Sequence, residues 1–210
     1  DFYTTYFPGY RSGWSRADWF ADTNVADWTD DIAQLKATFF TKVAPVSTNG
    51  SGWNFDNVRA LNLQINSIEK SALNDEAKKH WLGVSRLLRG MEYASLVEKF
   101  GDVPYYADTI AQNNYNTLYK ARDPRTVVRD KVLDDFNFAV ENIRVSDGKA
   151  GLTINKDVAR AFASRFMLFE GTWQKYREKN NEAAKKYLIA AKNFAESIMN
   201  EGKYKLCNNY

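Results

Sequence analysis

The residues from which this chain of 210 amino acids would have to build acid–base, nucleophilic or metal chemistry are few: one histidine, His80, one cysteine, Cys207, and the adjacent carboxylate pairs Asp30-Asp31 and Asp134-Asp135. A lone cysteine forms no internal disulfide, and without a Cys/His cluster there is no zinc site of the usual kind and no Cys–His nucleophile. Asp and Glu total 26, so composition alone leaves carboxylate-only metal or glycosidase sites open. Glycoside hydrolysis needs two carboxyl groups about 5–10 Å apart across a cleft. Neighbouring residues on a helix point about 100° apart instead, so neither Asp pair is poised as a dyad, and both are expected on a solvated surface. His80 is expected on the flank of a helix with no ligand. No catalytic residue, metal or cofactor is expected, and the chain reads as a non-enzyme.

The aromatic residues suggest a different chemistry. Sugars bind proteins by laying their C–H faces on aromatic rings while Asn, Asp and Arg bond the hydroxyls. Trp14, Trp19, Trp28 and Trp53 stand near Arg16, Asp18, Asn24, Asp27 and Asn54, which supplies those ingredients. The competing reading is that these rings plug the core, since Trp is usually mostly buried. Trp14, Trp19, Trp28, Trp53 and Asn54 are therefore the ligand-binding candidates, with both readings open for each.

Charge excludes one class of partner. The net charge is +3 with no basic block, too little to argue for nucleic acid. Residues 1–60 carry five Lys/Arg against seven Asp/Glu, and the mild basic excess of the remainder, spread over helices, reads as a solvated face. No apolar run approaches the ~20 residues of a membrane span.

The elements that must position these residues are helical. Residues 1–55 hold 13 of the 31 aromatic residues and show little period, apart from a short amphipathic helix expected over 27–42. From Asp56 the apolar period becomes that of a helix, with Val58, Leu61, Ile65 and Ile68 on one face. Asp75 to Phe100 is the longest segment, with a stripe of Trp81, Val84, Leu88 and Met91. Gly83 and Gly90 would let another helix approach closely, since each costs about 1 kcal/mol in helix propensity. Gly101 and Asp102-Val103-Pro104 end it. A polar loop over 108–122 leads to Asp123-Pro124, expected to cap the next helix, whose buried face is Val128, Val132, Phe136, Ala139 and Ile143. Asn155 caps a further helix with a face of Val158, Phe162, Phe166, Phe169, Trp173 and Tyr176. The last carries Ala184, Tyr187, Ala191, Phe194 and Ile198, and ends at Gly202, with Tyr204 and Leu206 folding back. The fold expected is all-α: antiparallel helical hairpins with tetratricopeptide-like packing, behind an irregular aromatic-rich amino-terminal segment, as one domain over 1–210. Asn62, Arg86 and Arg89 are expected to make helix-packing hydrogen bonds or ion pairs, with Asp134 or Asp135 as partners for the arginines.

Five ordered blocks carry a family resemblance. Gly83 through Arg86, Arg89, Tyr93, Leu96-Val97 and Phe100-Gly101-Asp102-Val103-Pro104 resembles the SusD/RagB segment Gly-Glu-Ala-x-Phe-Leu-Arg-Ala-x-x-Tyr-x-x-Leu-Val closed by Gly-Asp-Val-Pro. Val58-Arg59 with Asn62 and Ile65, preceded by Trp53, is similar to an upstream helix of that family. Arg122, Val127-Val128, Val132, Asp135-Phe136 and Ala139 match a downstream one. Asn155-Lys156, Ala159, Arg165, Leu168, Gly171 and Trp173 match the next, and Gly202, Tyr204 and Leu206 the segment after it. Phe100, Gly101, Asp102 and Pro104 are expected to be architectural. Val84, Ser85 and Gly90 depart from the family pattern in ways that bear on packing. Members are much longer, so the chain resembles an amino-terminal, tetratricopeptide-like portion, without the lipidated cysteine and the carboxy-terminal half; Cys207 is not that anchor.

The resemblance implies a lipid-anchored outer-membrane, cell-surface protein of Bacteroidota used in polysaccharide utilisation. It would bind oligosaccharide, or in some members peptide, and pass it to a SusC-like TonB-dependent transporter, with no cleavage. Its binding residues vary, so none of the candidate positions follows from it. The alternative from the residues is a helical-repeat scaffold for protein–protein contact without a small-molecule ligand.

Overall fold

The structure is a computed structural model that describes residues 52–146, 148 and 153–205, and the chain divides into two compact units, 1–54 and 55–210. The expected helix over 27–42, Asp30-Asp31, Trp14, Trp19, Trp28, Leu206 and Cys207 lie outside the described residues.

The second unit is all-α, as the periodicity predicts. Helix α1 spans Asp56–Glu69 and buries Val58, Leu61, Asn62 and Ile65. Helix α2, Asp75–Phe100, starts where the Asn74 side chain accepts the Ala77 N–H at 2.9 Å. It stops where Gly101 takes a left-handed φ of 72° and its N–H reaches Val97 O. A one-turn helix α3, Tyr115–Leu118, sits in the polar loop, capped by the Asn114 side chain. Helix α4 is Arg125–Asn142, α5 is Lys156–Trp173 and α6 is Asn181–Met199. Asn155 caps α5 through the Val158 N–H at 2.9 Å, as expected from the sequence. A π-helical turn, Gln174–Glu178, extends α5, and Lys179 with φ 55° breaks the chain into α6. Each long helix packs on the next, α1 on α2, α2 on α4, α4 on α5 and α5 on α6. Among the described residues the only β feature is an isolated bridge between Val103 and Asp123.

Glycines set the helix spacings. A Cβ on Gly83 would lie 2.8 Å from Ile143 Cγ1, and one on Gly90 would lie 2.8 Å from Phe136 Cε1, so α2 and α4 close to a distance only hydrogen permits. The core at that seam is Val84, Leu87, Leu88, Met91, Val128, Val132, Phe136 and Ala139, each large member worth roughly 1.5–3 kcal/mol when fully buried. Gly171 does the same for α5 and α6: its Cβ would meet Leu188 Cγ at 2.6 Å and the Leu188 backbone nitrogen at 3.0 Å.

Several expectations are corrected. Asp123 does not cap α4. Its carboxylate accepts the Tyr105 N–H instead, and the Arg125 N–H is taken by Asp102 at 2.8 Å. The buried face of α5 is Ala159, Ala163, Met167, Glu170 and Gly171, continued by Gln174, with Phe169 40% and Tyr176 68% exposed. Close approach to α6 demands the small residues inward, which turns the aromatic stripe toward the edge, where Phe166 stacks on Phe136 of α4. Trp81 is 37% exposed while His80 is fully buried. The α2–α4 contact at Gly83 draws His80 inward, where its Nδ1 accepts the Arg144 N–H at 3.2 Å.

Gly171→Val is expected to destabilise the unit by about 3 kcal/mol through overpacking. Gly171→Ala loses less, because about 1 kcal/mol of helix propensity offsets the clash. Thermal unfolding checks this, at about 2–4 °C per kcal/mol; an unchanged Tm for the Val variant would refute the close approach.

Candidate functional site

Two buried ionic networks tie the helices together, and the first also reaches the loop between α2 and α4. In the first, Asp135 of α4 is 1% exposed and receives both arginines of α2. Arg86 Nε donates to its Oδ1 at 2.7 Å, and Arg89 donates from Nε to Oδ2 at 2.8 Å and from Nη2 to Oδ1 at 2.7 Å. Arg89 Nη1 continues to Asn62 Oδ1 on α1 and to the Ala107 carbonyl, both at 2.9 Å. Burial alone would lower the Arg89 pKa, but the hydrogen bonds and charge of Asp135 outweigh it and hold the guanidinium above its ordinary value. The expected pairing with Asp134/Asp135 is thus divided: Asp135 is the anchor, and Asp134 is exposed, with Lys131 3.8 Å away.

In the second network Glu170, fully buried, accepts from Arg125 Nη2 at 2.7 Å and from Gln174 Nε2 at 2.8 Å. Arg129 Nε lies 2.8 Å away, and Arg129 Nη2 stands 3.5 Å from Glu98. Burial depresses the Arg129 pKa, with Glu170 and Glu98 opposing it, and burial raises that of Glu98. Arg125 also bonds Val97 O and lies 4.4 Å from the centre of the Trp173 ring.

The first network pins the segment after Pro104. The Asn62 side chain donates to the carbonyls of Tyr106 and Asp108 at 3.0 and 3.1 Å. Tyr93 Oη accepts the Tyr106 N–H at 2.7 Å, and burial lifts the Tyr93 phenol beyond its ordinary range while pushing Tyr105 up to about 12. Tyr106 Oη donates to Leu118 O at 2.9 Å, which fastens α3 to the loop. The loop and α3 enclose an open cleft of about 270 Å³, whose wall includes Tyr105, Tyr106, Asp108, Thr109, Asn114 and Lys120.

The carboxylates around this cleft stay ionised. Asn66 donates to Asp108 at 2.7 Å and, with the Thr109 N–H, holds that carboxyl below its ordinary value. Burial works against Asp123, but Lys120 and the Tyr105 N–H outweigh it and lower its pKa too. Among the described residues no group of three His, Cys, Asp or Glu side chains is placed to hold a metal ion, and no described helix is long and apolar enough to cross a membrane.

Of the sequence candidates, Trp53 is half-buried and Asn54 exposed, both at the end of the first unit. Phe100 is half-buried, Gly101 turns the chain, Asp102 caps α4 and Pro104 is buried. The loop carries a tyrosine pair that is not among the sequence candidates: Tyr115 and Tyr119 are 64% and 81% exposed, with ring centres 6.4 Å apart and planes 15° apart. Their signal was a one-turn spacing within Asn113-Asn114-Tyr115-Asn116-Thr117-Leu118-Tyr119.

No protein-family model and no curated protein matches the chain. Solved structures do. A SusD superfamily protein from Bacteroides fragilis is 24% identical, with a TM-score of 0.57 over 72% of this chain and 30% of its own. A protein crystallised with xylogluco-oligosaccharide is 20% identical, with a TM-score of 0.57 over 73% of this chain and 29% of its own. A SusD-like carbohydrate binding protein from Bacteroides vulgatus is 18% identical, with a TM-score of 0.54 over 72% and 30%. The chain therefore has the helical fold of SusD-superfamily proteins, in accord with the resemblance read from its motifs, and spans about 30% of the length of these structures.

Asp135→Ala leaves Arg89 buried without its partner and is expected to cost about 3–5 kcal/mol. Urea unfolding measures the loss, and amide exchange at 105–109 accelerates with it. A loss below about 1 kcal/mol would show that the network does not hold the loop.

Proposed function

We propose that this chain is the helical part of a cell-surface protein that captures oligosaccharide and does not cleave it. The observation that carries this reading is its likeness in fold to a SusD-like carbohydrate binding protein and to a protein solved with xylogluco-oligosaccharide. The site chemistry is compatible with it: a braced loop with aromatic rings, amides and hydroxyls, whose carboxylates Asp108 and Asp123 are held ionised. In this reading Trp14, Trp19, Trp28, Trp53 and Asn54 are the sugar-contact candidates of the amino-terminal unit. The whole protein is lipid-anchored at the outer membrane and hands its ligand to a SusC-like TonB-dependent transporter.

A second reading rests on a groove of about 360 Å³ lined by Ala184, Leu188, Ile189, Lys175, Lys185 and Lys192. An apolar floor with a basic rim suits the acidic flank of a helix from another protein, the scaffold alternative.

Affinity electrophoresis of the chain through polysaccharide gels separates the two. Retardation by at least one glycan, weakened by Trp28→Ala, with no new reducing ends after incubation, is expected. Release of reducing ends would overturn the non-catalytic reading, and migration unaffected by every glycan would favour the scaffold.

A further inference from the structure

We infer that Tyr115 and Tyr119 form a stacking platform for uncharged sugar rings. This deepens the glycan-capture reading and rests on it. The two rings project from one turn of helix with near-parallel planes, and both are largely exposed. Neither belongs to the wall of the loop cleft, so the pair presents its own surface.

Large exposed rings cost free energy in water unless something covers them, and their setting selects what that is. The eleven residues Thr109–Tyr119 include no charged side chain. Gln112, Asn113 and Asn116, close to the pair in sequence, are exposed amides, which donate to and accept from hydroxyl groups. The nearest lysine in sequence, Lys120, is engaged by Asp123 at 2.6 Å and lies over the Tyr106 ring. An acidic sugar would find no cation offered on this stretch, and the negative faces of the rings repel carboxylate. The axial C–H groups of a neutral pyranose carry partial positive charge and meet those faces favourably. A protein partner would be expected to bury such tyrosines in a dry, apolar surround, and the residues beside them in sequence are exposed amides instead.

The platform is also preset. Asn114 caps the turn, the Tyr119 N–H closes on Tyr115 O at 2.9 Å, and Tyr106 Oη ties Leu118 O to the braced loop. Little backbone order remains to be lost on binding. Because the surface is shallow, affinity for one oligosaccharide is expected in the roughly millimolar to 0.1 mM range.

The test is titration calorimetry of the chain, its Tyr115→Ala/Tyr119→Ala double variant and its Tyr115→Phe/Tyr119→Phe counterpart. The probes are xyloglucan oligosaccharide, maltoheptaose, mannohexaose and oligogalacturonate. Neutral probes should bind, the Ala pair should weaken them about tenfold or more, and the Phe pair should stay within about threefold of wild type. Unfolding temperatures should agree within about 2 °C, since the rings are exposed. Neutral binding unchanged in the Ala pair overturns the platform and leaves glycan capture standing. Binding confined to oligogalacturonate overturns the neutral class. No binding to any probe overturns both.

Discussion

Asp135 is the point on which the second unit is organised. One carboxylate, almost without exposure, takes both arginines of α2, and through Arg89 reaches Asn62 of α1 and the Ala107 carbonyl of the loop. A buried ion pair is weak evidence for stability, because desolvation can exceed the Coulombic gain. Its consequence here is register. Arg89 satisfies four acceptor contacts only when α1, α2, α4 and the loop stand in one arrangement, and each alternative leaves a guanidinium buried and unpaired. Glu170 performs the same role one helix pair further on, collecting Arg125, Arg129 and Gln174 while Glu98 stands beside Arg129. The Glu170 network sets two cations against two anions, whereas the Asp135 network sets two cations on one carboxylate, with the Arg86 side chain 26% exposed.

The same constraint explains the rotation of α5. Apolar residues recur along α5 at helical spacing, and their sum favours an aromatic inner face. Glu170 must face Arg125 and Arg129, however, and Gly171 must face Leu188, both from the opposite side of that stripe. Moving Phe169 partly into water loses some burial free energy. Turning Glu170 outward would strand two buried arginines, which costs several kcal/mol. The ionic term wins, and the aromatics are left at the edge, stacked on one another and on Phe136.

What the sequence disclosed follows from this hierarchy. Helix existence and many boundaries were legible because they rest on local chemistry: Asn155 as a cap, Gly101 as a left-handed terminator, and the apolar face of α4. The partners of Arg86 and Arg89 were legible only as a choice between two aspartates, since adjacent residues differ by about 100° on the helix and tertiary contact decides between them. The role of Asp102 was hidden by distance, because it caps a helix beginning 23 residues later. His80 and Trp81 exchanged their expected environments for a similar reason: the close approach at Gly83, not hydrophobicity, decides which neighbour turns inward. The tyrosine loop has no sustained period, so its one-turn helix is set by Asn114 and by the Tyr106 bond to Leu118.

This arrangement also bears on what the loop can do to a ligand. A general acid needs a carboxyl with a raised pKa facing the bond to be broken, and a second carboxylate across from it. Asp108 and Asp123, the carboxylates held by the loop, are shifted the other way by the bonds that fix its shape. Glu98 is shifted upward by burial, but its near neighbour is Arg129 at 3.5 Å, which favours the ionised form. The bonds that brace the loop therefore also hold Asp108 and Asp123 in their ionised form. Outward the loop presents the rings of Tyr115 and Tyr119 beside the exposed amides of Gln112, Asn113 and Asn116, groups suited to contact and hydrogen bonding.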